Sequence, residues 1–137
     1  MSHLLLDTCA LIFLADNNLK TDVARTALRT AHEAGEPVYV SPISAWEIGL
    51  LVSLGRLNLS LSPLNWFNSV KRKAGLTLTD LPPDVLVTSS FLPDAPCRDP
   101  ADRIITATAR EYGFTLVTRD TRLLAYASKG HIRALPC

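Results

Sequence analysis

The chain has 137 residues, 47% of them hydrophobic and 20% charged, a balance that fits one folded domain with its own core and excludes an intrinsically disordered chain. Lys and Arg total 14 against 13 for Asp and Glu, a formal net charge of +1, so bulk basicity does not mark a nucleic-acid binder and such a surface has to come from local clustering. No stretch approaches the roughly 20 apolar residues of a membrane span, and the apolar start His3-Leu4-Leu5-Leu6 is cut at once by Asp7, which predicts no signal peptide.

Taken in chain order, Leu4-Leu5-Leu6 reads as a buried strand ending at Asp7-Thr8, and Ala10 to Ala15 as a short helix broken by Asp16-Asn17-Asn18. Thr21 to Ala34 carries Val23, Ala24, Ala27, Leu28 and Ala31 at helical spacing, with Gly35 as the stop. Val38-Tyr39-Val40 is a second strand, ended by Ser41-Pro42, and Ser44 to Leu54 a helix stopped by Gly55. Pro63 opens another helix to about Ala74, Leu76 to Leu78 forms a short third strand, and Pro82-Pro83 starts a short helical stretch with Val85, Leu86 and Val87. Leu92 to Pro100, with three prolines, is a loop. Ala101 to Tyr112 is a helix ended by Gly113, Thr115-Leu116-Val117 the fourth strand, Asp120 to Ala127 a helix, and Ile132 to Leu135 the last strand. Short apolar strands without polar alternation, alternating with helices, predict one α/β domain over residues 1–137, with a parallel sheet flanked by helices on both faces.

Cys9, Cys97 and Cys137 are odd in number and lack CxxC spacing, which argues against a disulfide framework or a structural zinc site and fits a reducing, cytoplasmic setting. His3, His32 and His131 show no paired spacing and read as surface or packing residues. Trp46, Trp66 and Phe67 read as core or interface residues.

Four of the 13 acids fall at special places. Asp7 ends the first strand, Glu47 sits in the first turn after the second, Asp102 in the first turn of the Ala101 helix, and Asp120 two residues past the fourth strand. Sites in parallel sheets form outside the carboxyl ends of strands, where acids following the strands converge. Asp102 joins them if its helix starts on that edge. Clustered carboxylates repel when ionised and call for a cation. Hard oxygen ligands without His or Cys suit Mg2+ or Mn2+, which clamp phosphates and activate water. Each acid taken alone also reads as a helix cap: Asp7 as an N-cap, Ser44-Ala-Trp-Glu47 as a capping box, Asp99-Pro100-Ala-Asp102 as a capped helix start, and Asp120 as the last cap.

Leu4-Leu5-Leu6-Asp7-Thr8, Val40-Ser41-Pro42-Ile43-Ser44-Ala45-Trp46-Glu47-Ile48, Arg98-Asp99-Pro100-Ala101-Asp102-Arg103-Ile104-Ile105 and Leu116-Val117-Thr118-Arg119-Asp120 together resemble the PIN-domain family, especially its VapC-like toxin ribonucleases. The four pieces occur in the family's order and span nearly the whole chain. The resemblance implies an acidic pocket binding Mg2+ or Mn2+, with Asp7, Glu47, Asp102 and Asp120 as its acids. It implies Asp99 as a neighbour one helical turn from Asp102, and Thr118, Thr8 and Ser44 as polar companions. It further implies RNA cleavage, a homodimer and a cognate VapB-like antitoxin that blocks the pocket. Cys9 and Cys97 stand where the family often has His, and read as packing substitutions beside the metal site.

Arg98, Arg103, Arg119 and Arg122 lie near the pocket acids in sequence and are the candidate contacts to RNA phosphates. Lys71-Arg72-Lys73, at a helix end, reads as complementing the helix dipole. A phosphatase with an aspartyl nucleophile would carry a second Asp two residues after the first, where Cys9 stands, and a P-loop enzyme is excluded by the missing G-x-x-x-x-G-K pattern. The alternative is a PIN-like RNA- or protein-binding module without catalysis.

Overall fold

The computed structural model describes residues 2–137. Its strands are β1 (Leu4–Leu6), β2 (Val38–Val40), β3 (Leu76–Leu78), β4 (Thr115–Thr118) and β5 (Arg133–Pro136), hydrogen-bonded in the order β3-β2-β1-β4-β5. Every pairing is parallel, with Leu4 opposite both Val38 and Thr115. The helices are α1 (Thr8–Ala15), α2 (Asp22–Glu33), α3 (Pro42–Ser53), α4 (Pro63–Lys73), α5 (Pro83–Thr88), α6 (Pro100–Tyr112) and α7 (Thr121–Ser128).

Side chains leave a strand alternately to its two faces, and the core divides accordingly. Leu4, Leu6, Val38, Val40, Leu76 and Val117 pack on one face with Ala10 and Leu11 of α1, Ala24 and Ala31 of α2 and Phe67 of α4. Leu5 and Leu116 point the other way, onto Ile105 and Ala109 of α6 and Leu123 and Tyr126 of α7. Both faces of the sheet are therefore covered, as the apolar strands require. No helix among the described residues is long and apolar enough to cross a membrane.

Helix starts follow polar caps. Thr21, Ser62, Asp99 and Asp120 each accept a backbone N–H of the helix they open. Two starts fall earlier than the sequence suggests. Asp7 accepts from Ala10 N, so α1 begins at Thr8 instead of Ala10. Ser41 accepts from Ile43 N at 3.1 Å with Pro42 at the first helical position, so α3 begins at Pro42 instead of Ser44. The expected capping box at Ser44 and Glu47 is thus not formed. Ser44 is buried inside α3, and Glu47 lies in its second turn, not its first. The reason is that proline fits the first helical position, where its missing N–H costs nothing, so Ser41-Pro42 starts the helix as well as ending the strand. Trp46 also departs from a core role, being 54% exposed.

Candidate active site

β1 and β4 are neighbours from which the chain winds in opposite directions, to β2 and β3 on one side and to β5 on the other. The crevice outside their carboxyl ends is the switch point where ligands of open parallel sheets bind. Asp7 follows β1 directly into it, and Thr118 and Asp120 follow from β4. α6 comes down from that same edge to enter β4 at the opposite edge, so its first turn brings Asp99 and Asp102 to the crevice. Glu47 reaches it from α3.

Asp7 is the anchor. It is 4% exposed, its Oδ1 accepts the Ala10 N–H at 2.7 Å, and its Oδ2 accepts the Thr118 hydroxyl at 2.5 Å. Thr118 Oγ1 in turn accepts the Asp120 N–H at 3.0 Å, so one hydroxyl ties the acid after β1 to the acid after β4. Burial pushes the Asp7 carboxyl up to about 6; the Thr118 and Ala10 hydrogen bonds oppose the shift, and the charges of Glu47 and Asp120 add to it.

Asp102 is pushed up to about 7, first by burial and then by the charges of Asp99, Glu47, Asp7 and Asp120. Glu47 is also raised, by burial and then by Asp99, against a lowering hydrogen bond from Thr8. Thr8 Oγ1 and Ser44 Oγ lie 2.9 Å apart in the interior and fasten α1 to α3 beneath Glu47. Glu47 Oε1 is buried without a hydrogen-bond partner. Asp120 caps α7 through Arg122 N at 2.8 Å, and its other oxygen lies 3.6 Å from the Arg122 guanidinium. Asp99 stands at the exposed rim, capping α6 through Asp102 N at 3.0 Å.

The fold therefore brings Asp7, Glu47, Asp102 and Asp120 into mutual electrostatic range, with Asp99 beside them. Among the described residues, no three His, Cys, Asp or Glu side chains stand close enough together to hold a metal ion as they are placed. The two observations are compatible, because charges interact over longer distances than coordination bonds span. The residues fit a hard divalent cation on three counts. The donors are all oxygen, one buried carboxylate oxygen has no partner, and burial with crowding raises three of the acids.

The four arginines do not share one situation. Arg98 is exposed beside Asp99. Arg122 pairs with Asp120. Arg103 Nε donates to the Cys97 carbonyl at 2.7 Å. Arg119 is turned back on the fold, donating to the carbonyls of Asn18 and Cys137 at 3.0 and 2.8 Å with its guanidinium 3.6 Å over the Phe13 ring.

Cys9 stands beside the acids, as its place two residues after Asp7 suggests. The residue is exposed on the first turn of α1, but its thiol is partly withdrawn from water and is pushed up to about 12 by that desolvation, with the charges of Asp7, Glu47, Asp102 and Asp120 adding to it. It is thus an uncharged group at the mouth of the acidic crevice. Cys97 is buried and pushed up to about 11, chiefly by burial.

A family model described as "PIN domain" matches residues 4–129. The chain is 36% identical over 103 residues to Ribonuclease VapC22 of Mycobacterium tuberculosis, covering 73% of this chain and 75% of that protein. Among solved structures, a chain of VapBC2 from Rickettsia felis, bound to a DNA fragment from its promoter, superposes with a TM-score of 0.69 at 14% identity, covering 98% of both chains. A toxin–antitoxin complex from Klebsiella pneumoniae gives a TM-score of 0.54 at 24% identity, covering 85% of this chain and 86% of that one. At such identities the structural likenesses speak for the fold.

Proposed function

The chain belongs to the PIN-domain family, and from that premise we propose that it is a metal-dependent endoribonuclease, the toxin of a toxin–antitoxin pair, with Asp7, Glu47, Asp102 and Asp120 as its catalytic acids. The observation that carries this reading is the meeting of four carboxylates at the β1/β4 switch point, two of them raised to about 6 and about 7. A fold keeps such a cluster at a cost in stability unless it has a use for it.

Mg2+ or Mn2+, when bound, supplies Lewis acidity that neutralises the acids, polarises a phosphate and makes nearby water more acidic. Asp7, held by Ala10 and Thr118, presents its remaining lone pairs from a fixed position. Glu47 offers its unpartnered Oε1. Asp102, brought to the crevice by the first turn of α6, would take the proton of the attacking water as general base. Attack in line with the 3′ oxygen breaks the P–O3′ bond and leaves a 5′-phosphate and a 3′-hydroxyl. Thr118, Thr8 and Ser44 hold the acids in place, and Asp99 tunes Asp102 and Glu47 through its charge.

Arg98 and Arg122 at the rim counter the acids' repulsion of an RNA backbone. Arg103 and Arg119, already bonded to backbone carbonyls, contribute charge from behind them. A protein partner has a physical basis in Trp46 and Leu50 of α3 and Leu54 at its C-cap, which recur at helical spacing and are 54%, 39% and 55% exposed. We assign such apolar surface to a second copy of the chain and to a VapB-like antitoxin. Three unpaired cysteines suit a reducing compartment such as the cytoplasm.

The test of this reading is to incubate the protein with 5′-labelled RNA and Mn2+ or Mg2+ and to characterise the product ends. Discrete fragments are expected, the upstream ones ending in a 3′-hydroxyl and the downstream ones beginning with a 5′-phosphate. Fragments with 2′,3′-cyclic phosphate ends would overturn it, since those arise from attack by the RNA's own 2′-hydroxyl.

A further inference from the structure

The segment that delivers α6 to the acidic crevice is held from a distance. Residues 89–99 connect α5 to α6, and the part from 91 to 99 carries Pro93 and Pro96. Asp94 and Ala95 both take positive φ, 58° and 37°, a left-handed conformation disfavoured for residues with a Cβ. Ala95 also precedes a proline, which normally imposes extended backbone. A loop so strained keeps its shape only where its surroundings over-determine it.

Two side chains from later in the sequence do so. The Tyr126 hydroxyl, on α7, donates to the Pro93 carbonyl at 2.6 Å. His131 Nε2, between α7 and β5, lies 2.7 Å from Asp94 Oδ2. The two rings stack with centroids 4.5 Å apart, and Arg110 of α6 bonds the His131 carbonyl at 2.6 Å. Tyr126 is itself 3% exposed in the core, so the clamp has a rigid base. Beyond it the chain buries Cys97, whose carbonyl accepts from Arg103, and reaches the Asp99 cap.

The first turn of α6 needs this support. Ala101 and Cys97 are buried, but Arg98, Asp99 and Pro100 between them are all exposed, so burial alone does not fix the cap of the helix. Like-charge repulsion acts on Asp102 from Asp99 on its own turn and from Glu47, Asp7 and Asp120 across the crevice, and the last three push the turn outward.

We propose that Tyr126 and His131 are positioning residues for the nuclease reaction: through Pro93 and Asp94 they hold loop 91–99 in its strained form and so set where Asp99 and Asp102 stand in the pocket. The inference rests on the proposed function for its kinetic consequence, whereas its structural consequence can be read without any RNA. Tyr126→Phe removes only the hydroxyl and keeps the core ring, and Asp94→Ala acts on an exposed residue, so neither variant threatens the fold. His131→Ala removes the contact, and His131→Gln keeps a donor for Asp94.

The experiment measures amide exchange of the full chain with and without Mn2+, beside RNA cleavage. Faster exchange is expected in residues 92–102 of Tyr126→Phe, Asp94→Ala and His131→Ala, with β4 unchanged. The Mn2+ concentration for half-maximal cleavage should rise roughly tenfold, in keeping with the sensitivity of catalysis to small misplacements, and His131→Gln should restore most of it. Wild-type exchange in residues 92–102 of all three variants would overturn the proposal, whatever the RNA assay gives. So would faster exchange with unaltered Mn2+ dependence in an active enzyme. A wild-type protein that cuts no RNA while its variants show the loosened loop would count against the nuclease reading and leave the clamp standing.

Discussion

Asp7 accepts two hydrogen bonds and is still pushed up to about 6, because removal from water disfavours its charge more than two donors favour it. Thr118 is the more exposed to test, since its hydroxyl serves Asp7 and Asp120 at once. Thr118→Val keeps the shape and leaves Asp7 Oδ2 and Asp120 N short of a partner. A loss of about 1–3 kcal/mol by denaturant unfolding is expected, with a fall in cleavage rate. The pH dependence also belongs to single residues. Asp7 and Asp102 have folded values of about 6 and about 7 against 3.8. Groups raised in this way bind protons more tightly in the folded state, so their contribution is complete below about pH 4 and is lost as pH rises through the folded values. Protein in EDTA should therefore lose thermal stability between about pH 5 and about pH 8, and the stabilisation by Mn2+ should grow over the same interval. A calorimetric series across pH, with and without Mn2+, checks both signs. Asp7, Asp102 and Asp120 were legible in the sequence because each stands beside a strand end or a helix start. The depth of Glu47 was not, because it depends on where a helix begins to within two residues.

At the scale of elements, the strands could be read almost to the residue, since short apolar runs between turn residues leave few choices. Helix starts shifted where a cap lay further upstream than the apolar pattern. Ser41 caps α3, so Ser41→Ala should destabilise the protein by about 1 kcal/mol in chemical denaturation. Ser44 is instead buried against Thr8, so Ser44→Ala should spare the α3 cap and act on the acids, through loss of the α1–α3 fastening. Comparing the two variants separates a cap from a pocket support. The stop of α6 was plain from Gly113, which sits at φ 67°; Gly113→Ala should cost on the order of 1 kcal/mol, because a Cβ disfavours that backbone. The clamp of Tyr126 and His131 on loop 91–99 left no signal in the sequence, because it joins residues about thirty-five positions apart through a backbone carbonyl and a bent loop.

For the whole molecule, the strand order does the gathering. Winding outward from β1 and β4 leaves one crevice open at their carboxyl ends, and every helix start that carries a pocket acid faces it. The alternation of strands and helices predicted the parallel sheet with both faces covered, but the order of its strands is a long-range property that no local pattern carries. The central claim is that this crevice is a metal-dependent nuclease site. The most direct measurement compares cleavage of labelled total RNA by wild-type protein in Mn2+, by the same protein in EDTA, and by Asp7→Asn protein shown to be folded by circular dichroism. Discrete cleavage by the first, reduced on the order of a hundredfold or more in both others, is the predicted result. Cleavage by folded Asp7→Asn protein at the wild-type rate, or undiminished cleavage in EDTA, would contradict it.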